Sequence, residues 1–163
     1  MNASKPVFPG TVRIEEPHDG EKLLGLVGDL ITHQGFDPND FLIVGSARLY
    51  VTGHRTHLSD IDLLARGETW RRALREVELG RGHDEKAVAS GDKVLRLCGG
   101  LVEVFDRWVM PGTSADELID NPEIMRGLPF MQLEELVRYK RYLNRSKDRA
   151  DLRALSRFSH NPI

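Results

Sequence analysis

FLIVGSARLYVTGHRTHLSDIDLL, residues 41–64, decides how the rest of the chain is read. Phe41 to Val44 is a short run of aromatic, aliphatic and β-branched residues, which predicts a buried strand ending at Gly45. Ala47 to Thr52 fits a short helix stopped by Gly53, and the polar loop Gly53 to Leu58 leads to a second strand, Ser59 to Leu64. Alternation on that strand sends Ile61 and Leu63 to the core and leaves Asp60 and Asp62 together on the opposite face. Two carboxylates at i and i+2 have Cα atoms roughly 6.5 Å apart, within reach of one hard cation or of two bridged ones. Gly45 permits close approach of the backbone, and Ser46 with its neighbouring N–H groups suits a phosphate. A plain strand-to-helix turn with Ser46 as N-cap explains the same two residues if the aspartates are set aside.

Outward from this segment, Leu23, Leu26, Val27, Leu30 and Ile31 recur at helical spacing between Asp19 and His33, with Gly35 placed as a C-cap. The first eighteen residues carry Pro6, Pro9 and Pro17 and read as an extended arm, so residues 19–163 are expected to form a single domain. Glu68 to Leu79 is a second amphipathic helix. Glu85 to Val109 divides at Ser90-Gly91-Asp92 and at Gly99-Gly100 into three strands of a meander. From Ser114 onward the pattern is mainly helical: Ser114 to Ile119, Gln132 to Leu143 and Lys147 to Phe158, with Ser146 as an N-cap. The expectation is an α+β fold with a mixed, largely antiparallel sheet of about five strands and helices mainly on one face.

The 163 residues, 40% hydrophobic and 29% charged, bound one ordinary globular domain. No apolar run approaches the roughly 20 residues of a membrane span, and Met1 to Gly10 has no signal-peptide pattern, so a cytoplasmic protein with no membrane partner is expected. The one cysteine, Cys98, reads as a packed strand thiol between Leu97 and Leu101. The net charge of −2 gives no global attraction for nucleic acid, although Arg138 to Arg157 holds eight Lys and Arg residues. Zinc-ligand spacing, a P-loop and a nucleophile elbow are all missing from the sequence.

A two-metal centre needs a third carboxylate, and the run from Lys93 to Asp106 offers Glu103 and Asp106. Their three-residue offset puts them on opposite faces, so one alone can join the aspartates; Glu103, an acid between Val102 and Val104, is favoured. Lys140 falls on the inward stripe of its helix, where its ammonium either snorkels to water or meets phosphate. Asp148 and Asp151 share a face of the last helix and read either as site residues or as favourable charge near a helix start. Arg48, His54, Arg55 and His57 lie near the loop joining the two key strands, placed to touch a triphosphate or an acceptor or else solvated. Ser59, beside Asp60, and Lys147 are further candidates.

The ordered set Val44-Gly45-Ser46, thirteen intervening positions, then Asp60-Ile61-Asp62-Leu63 resembles the signature of the DNA polymerase β-type nucleotidyltransferase superfamily. The run Leu101 to Asp106 resembles the strand that carries the superfamily's third acid. Leu133 to Lys140 with Arg145 to Leu152 resembles minimal bacterial members, including the AbiEii-like toxins. This resemblance, over residues 20 to 157, implies the nucleotidyltransferase fold and transfer of a nucleoside monophosphate from a nucleoside triphosphate to a hydroxyl or phosphate, with release of pyrophosphate. It further implies Mg²⁺, two ions, on Asp60, Asp62 and Glu103, with Glu103 helping to deprotonate the acceptor. Gly45, Ser46, Arg48 and Lys140 would contact the nucleotide. The acceptor implied is tRNA, a protein or an antibiotic, and a toxin role would bring an antitoxin as partner. A non-catalytic nucleotide- or RNA-binding module on the same fold is the alternative.

Overall fold

The computed structural model describes residues 18–88 and 90–159, without the side chains of Phe158 and Ser159. Apart from His18, the expected N-terminal arm lies outside the described residues. His18 and Asp19 form β1, which pairs antiparallel with β3, His57–Leu58. Helix α1, Gly20–Gln34, is capped as its sequence predicts: the Asp19 side chain accepts the Glu21 N–H at 3.0 Å, and Gly35 takes φ +73° to close the other end. Leu23, Val27 and Leu30 on its inner stripe are buried, each such side chain stabilising the fold by about 1.5–3 kcal/mol.

Among the described residues the main sheet has seven strands in the order β5-β6-β7-β4-β2-β9-β8. They are β2, Phe41–Val44; β4, Ile61–Ala65; β5, Gly82–Lys86; β6, Lys93–Leu97; β7, Val102–Phe105; β8, Glu123–Met125; and β9, Leu128–Phe130. The expected meander is present as β5-β6-β7, its first strand starting three residues earlier than the sequence suggested. Parallel pairing joins β4 to β7 and β2 to β9, while β2 and β4 are antiparallel.

Two features enlarge the expected five strands. The hairpin β8-β9 occupies residues read as part of a helical region; its two-residue turn, Arg126-Gly127, has φ +52° and +74°, the mirror-image turn that matches strand twist. The two-stranded β1-β3 patch is the second addition. Cys98 lies in the 3-10 turn Cys98–Gly100 between β6 and β7 rather than in a strand.

Helices cover both faces of the sheet, where the sequence suggested mainly one. On the first face α1 and α3, Gly67–Glu78, pack against Phe41, Ile43, Ile61 and Leu63. On the second face α4, Ala115–Ile119, and α5, Leu133–Leu143, pack against Leu42, Val44 and Leu64. Alternating residues of β2 thus feed two different cores, which is why that strand reads as uninterrupted apolar sequence. The short α2, Ala47–Val51, follows β2, and α6, Ser146–Ser159, packs beside α5. Among the described residues no helix is long and apolar enough to cross a membrane.

Candidate metal and phosphate site

Register across the sheet assembles the site. Asp62 on β4 is opposite Glu103 on β7; Glu103 is opposite Arg96 on β6; and Arg96 is opposite His83 on β5. Residues in register share a face, so a polar row runs across the second face of the sheet and ends at Val44 of β2. Asp60, two positions before Asp62, joins it. Carboxylate oxygens of Asp60, Asp62 and Glu103 all lie within 4.8 Å of one another. Glu103 is therefore the acid that meets the aspartates, while Asp106 follows the end of β7 and lines an adjoining groove with Trp70 and Leu74.

The three acids are not equivalent. Asp62 keeps part of its surface toward the cleft, yet its Oδ1 is fully enclosed and has no hydrogen-bond partner. Burial, then the charges of Asp60 and Glu103 and a hydrogen bond with Glu103, push its carboxyl well above the usual carboxylate range; Lys147 opposes the shift. An enclosed carboxylate flanked by two others is satisfied by a proton or by a cation. Three hard oxygen donors at this spacing, one of them unpaired, fit Mg²⁺ by ligand type and charge.

The turn after β2 forms the adjoining wall. Gly45 has φ +77°, and a Cβ there would lie 3.2 Å from Asp62 Oδ2, so both backbone conformation and space call for glycine. Ser46 makes no side-chain cap bond to α2, which removes the simple N-cap explanation. Its hydroxyl instead lies 3.2 Å from Lys140 Nζ and 3.5 Å from Asp151 Oδ2.

Lys140 has its side chain 2% exposed, and its ammonium meets Asp151 at 2.9 Å and Asp148 at 3.4 Å. Burial raises the Asp148 carboxyl, but hydrogen bonds from the Arg145 side chain and backbone, with the charges of Arg145 and Lys140, outweigh it and hold it below its ordinary value. Asp151 also faces Arg55 at 3.6 Å. Helix α6 is thereby fixed to both α5 and the Gly45-Ser46 turn.

These groups open on one cleft of about 850 Å³, lined among others by Gly45, Ser46, Asp60, Asp62, Glu103 and Lys140. Ser59, Arg55 and Lys147 line it too. Arg48 does not: its Nε donates to the Met131 carbonyl at 2.9 Å and its terminal nitrogen pairs with Glu123, so it ties α2 to the β8-β9 hairpin. His54 and His57 are likewise away from the cleft wall. No protein-family model, curated protein or solved structure matches this chain.

Two parts of the site had not been foreseen. Trp108 and Tyr139, with ring centroids 4.8 Å apart, form an aromatic wall of the cleft. Arg96, 2% exposed, pairs with Glu103 and Glu85 and lies 4.0 Å from Asp60. Its signal in the sequence is a cation between Leu95 and Leu97, inside the apolar run that follows Lys93, the counterpart of Glu103 as a lone acid in β7.

Proposed function

We propose that this protein is a Mg²⁺-dependent nucleotidyltransferase that moves a nucleoside monophosphate from a nucleoside triphosphate to an acceptor and releases pyrophosphate. One observation carries the reading: three carboxylates, including the enclosed and unpaired Asp62 Oδ1, converge beside a glycine-serine turn at the wall of a single cleft. The polymerase β-type resemblance of the same residues agrees with it.

Asp60, Asp62 and Glu103 would hold the metal. When bound, magnesium supplies charge neutralisation for the triphosphate and for the in-line transition state. The chain's own residues do the rest. Ser46 and the amides after Gly45 receive the terminal phosphates, and Lys140, 3.2 Å from Ser46 Oγ, orients that hydroxyl from behind. Glu103 takes the acceptor proton on a carboxylate oxygen. Trp108 and Tyr139 offer an apolar surface against which a base stacks.

The cleft wall also carries Arg55, Arg107, Arg145 and Lys147. Asp84, Glu85 and Asp92 on the same wall suit a cationic antibiotic, and the four cations suit a polyanionic acceptor such as tRNA. A toxin role with a neutralising antitoxin is consistent with such an acceptor, and growth arrest on expression is its first sign; protection from an aminoglycoside would instead identify a drug-modifying enzyme.

The experiment is incubation with each α-labelled nucleoside triphosphate, Mg²⁺ and total tRNA, with protein and aminoglycoside acceptors in parallel. Label transferred by the natural chain and lost in Asp60→Asn and Asp62→Asn, both still folded, is the expected result. Metal-independent transfer by the double variant would refute it. Mg²⁺-dependent nucleotide binding without transfer would replace it with the binding-module reading.

A further inference from the structure

Arg96 serves two carboxylates that line the same cleft, on the strands either side of its own, of which one belongs to the metal-binding triad. One is Glu103 of the metal-binding triad; the other is Glu85 on β5, the edge strand of the sheet, outside the triad. The guanidinium also donates to the Gly100 carbonyl at 3.3 Å and lies 4.0 Å from Asp60. A buried arginine is costly unless its fork of five N–H groups is matched by acceptors, and here acceptors stand on several sides. Its charge is consequently divided: whatever Glu85 draws toward itself is withheld from Glu103 and Asp60.

We infer that Arg96 is a positioning residue for the Glu103 carboxylate and that Glu85, acting through Arg96, sets how readily the triad accepts a divalent cation. This inference rests on the metal-dependent reading of the cleft. Without Glu85, the whole charge of the guanidinium falls on Glu103 and Asp60, two of the three metal-binding groups, and competes with the incoming cation. Glu85 therefore strengthens metal binding without touching the metal. Partners that hydrogen-bond a metal ligand, as Arg96 does Glu103, change affinity by about 10- to 100-fold in known sites, and Glu85, one contact further out, falls at the lower end of that range.

The test uses Mn²⁺ alone as the probe, titrated into the full-length chain and read by electron paramagnetic resonance. Glu85→Gln is expected to weaken Mn²⁺ binding about 10-fold. In an Arg96→Met background the same change is expected to cost less than about 2-fold, because the intermediary is gone and only a screened long-range charge remains. Where Arg96→Met does not fold, Arg96→Lys replaces it, since a single ammonium lacks the fork that holds both acids. In turnover, Glu85→Gln should raise the Mg²⁺ concentration needed for half-maximal rate and leave kcat at saturating Mg²⁺ within about 2-fold. Equal losses in both backgrounds, or no loss in Glu85→Gln, would overturn the inference and leave the triad intact. A natural chain that binds no Mn²⁺ would overturn the transferase reading first, and this inference with it.

Discussion

Replacing Lys140 by methionine tests whether the buried ion network fixes α5, α6 and the Gly45-Ser46 turn together. The substitution keeps the length and apolar stem of the side chain and removes only the ammonium. Asp148, fully buried at its side chain, and Asp151, 10% exposed, then lose a cation that stood at 3.4 and 2.9 Å. Removing one partner of a buried ion pair costs about 3–5 kcal/mol, because the remaining charge is left without compensation. Arg145 still holds Asp148 and Arg55 still faces Asp151, so the lower end, about 3 kcal/mol, is expected. For a domain of this size that corresponds to a fall in Tm of about 6–12 °C. Thermal and urea unfolding, without metal or nucleotide, measure it. The triple variant Lys140→Met, Asp148→Asn, Asp151→Asn should recover most of the loss, since no buried charge is then stranded: Arg145 and Arg55, which lose their acids, keep side chains 47% and 31% exposed to water. A single variant within about 1 kcal/mol of the natural chain would refute the argument and leave Lys140 as a solvated phosphate contact.

Other expectations follow from the same structure. Asp62→Asn should raise Tm at neutral pH in metal-free buffer by removing a charge that burial and the neighbouring Asp60 and Glu103 disfavour, and should abolish the stabilisation by Mg²⁺, which for the natural chain reaches about 2.7 kcal/mol at one hundred times Kd; a destabilised Asp62→Asn would contradict this. Arg48→Ala should cost about 1–3 kcal/mol by leaving the buried Met131 carbonyl unbonded, while transfer activity at 25 °C is unchanged, as parallel unfolding and labelling assays would show. The two perturbed acids around the cleft, Asp62 and Asp148, give opposite pH slopes. Asp148, lowered in the folded state, contributes stability that is present above its unfolded pKa and is lost as pH falls below about 4, so Asp148→Asn should flatten the acid limb of the stability curve. Asp62, raised in the folded state, makes the metal-free chain more stable as pH falls through its raised pKa, and Asp62→Asn should remove that gain.

Much of the site was legible because its residues sit on elements with clear periodicity. Alternation in β4 placed Ile61 and Leu63 in one core and pointed Asp62 the other way, as the structure has it. Parity along β7 admitted one of Glu103 and Asp106, and the apolar neighbours Val102 and Val104 favoured Glu103, but only the parallel β4-β7 register brings it opposite Asp62. Arg96 was not legible for the same reason, since its neighbours come from β5, β7, the turn between β6 and β7 and the residue before β4. Arg48 was misjudged because closeness to Ser46 in sequence says nothing about direction, and α2 turns its side chain toward Met131 and Glu123. The hairpin β8-β9 was hidden by its turn, which uses Arg126 where Asn or Asp before glycine would have announced it. The second helical layer was hidden by β2, whose buried residues on both sides leave no alternation to interpret.

The position of β9 has a bearing on how the chain comes to its fold. β2 is flanked by β4, about twenty residues later, and by β9, in parallel, with Gly45 meeting Met131 across 86 positions. Pairing at that separation is slow to form, so nascent or truncated chains ending before Phe130 hold Phe41 to Val44 as a bare edge. Four consecutive apolar residues with an unpaired backbone rim are a template for joining another chain. The interval between the emergence of β2 and the docking of β9 is accordingly when this protein is most prone to self-association, and its solubility during synthesis depends on how quickly that gap closes.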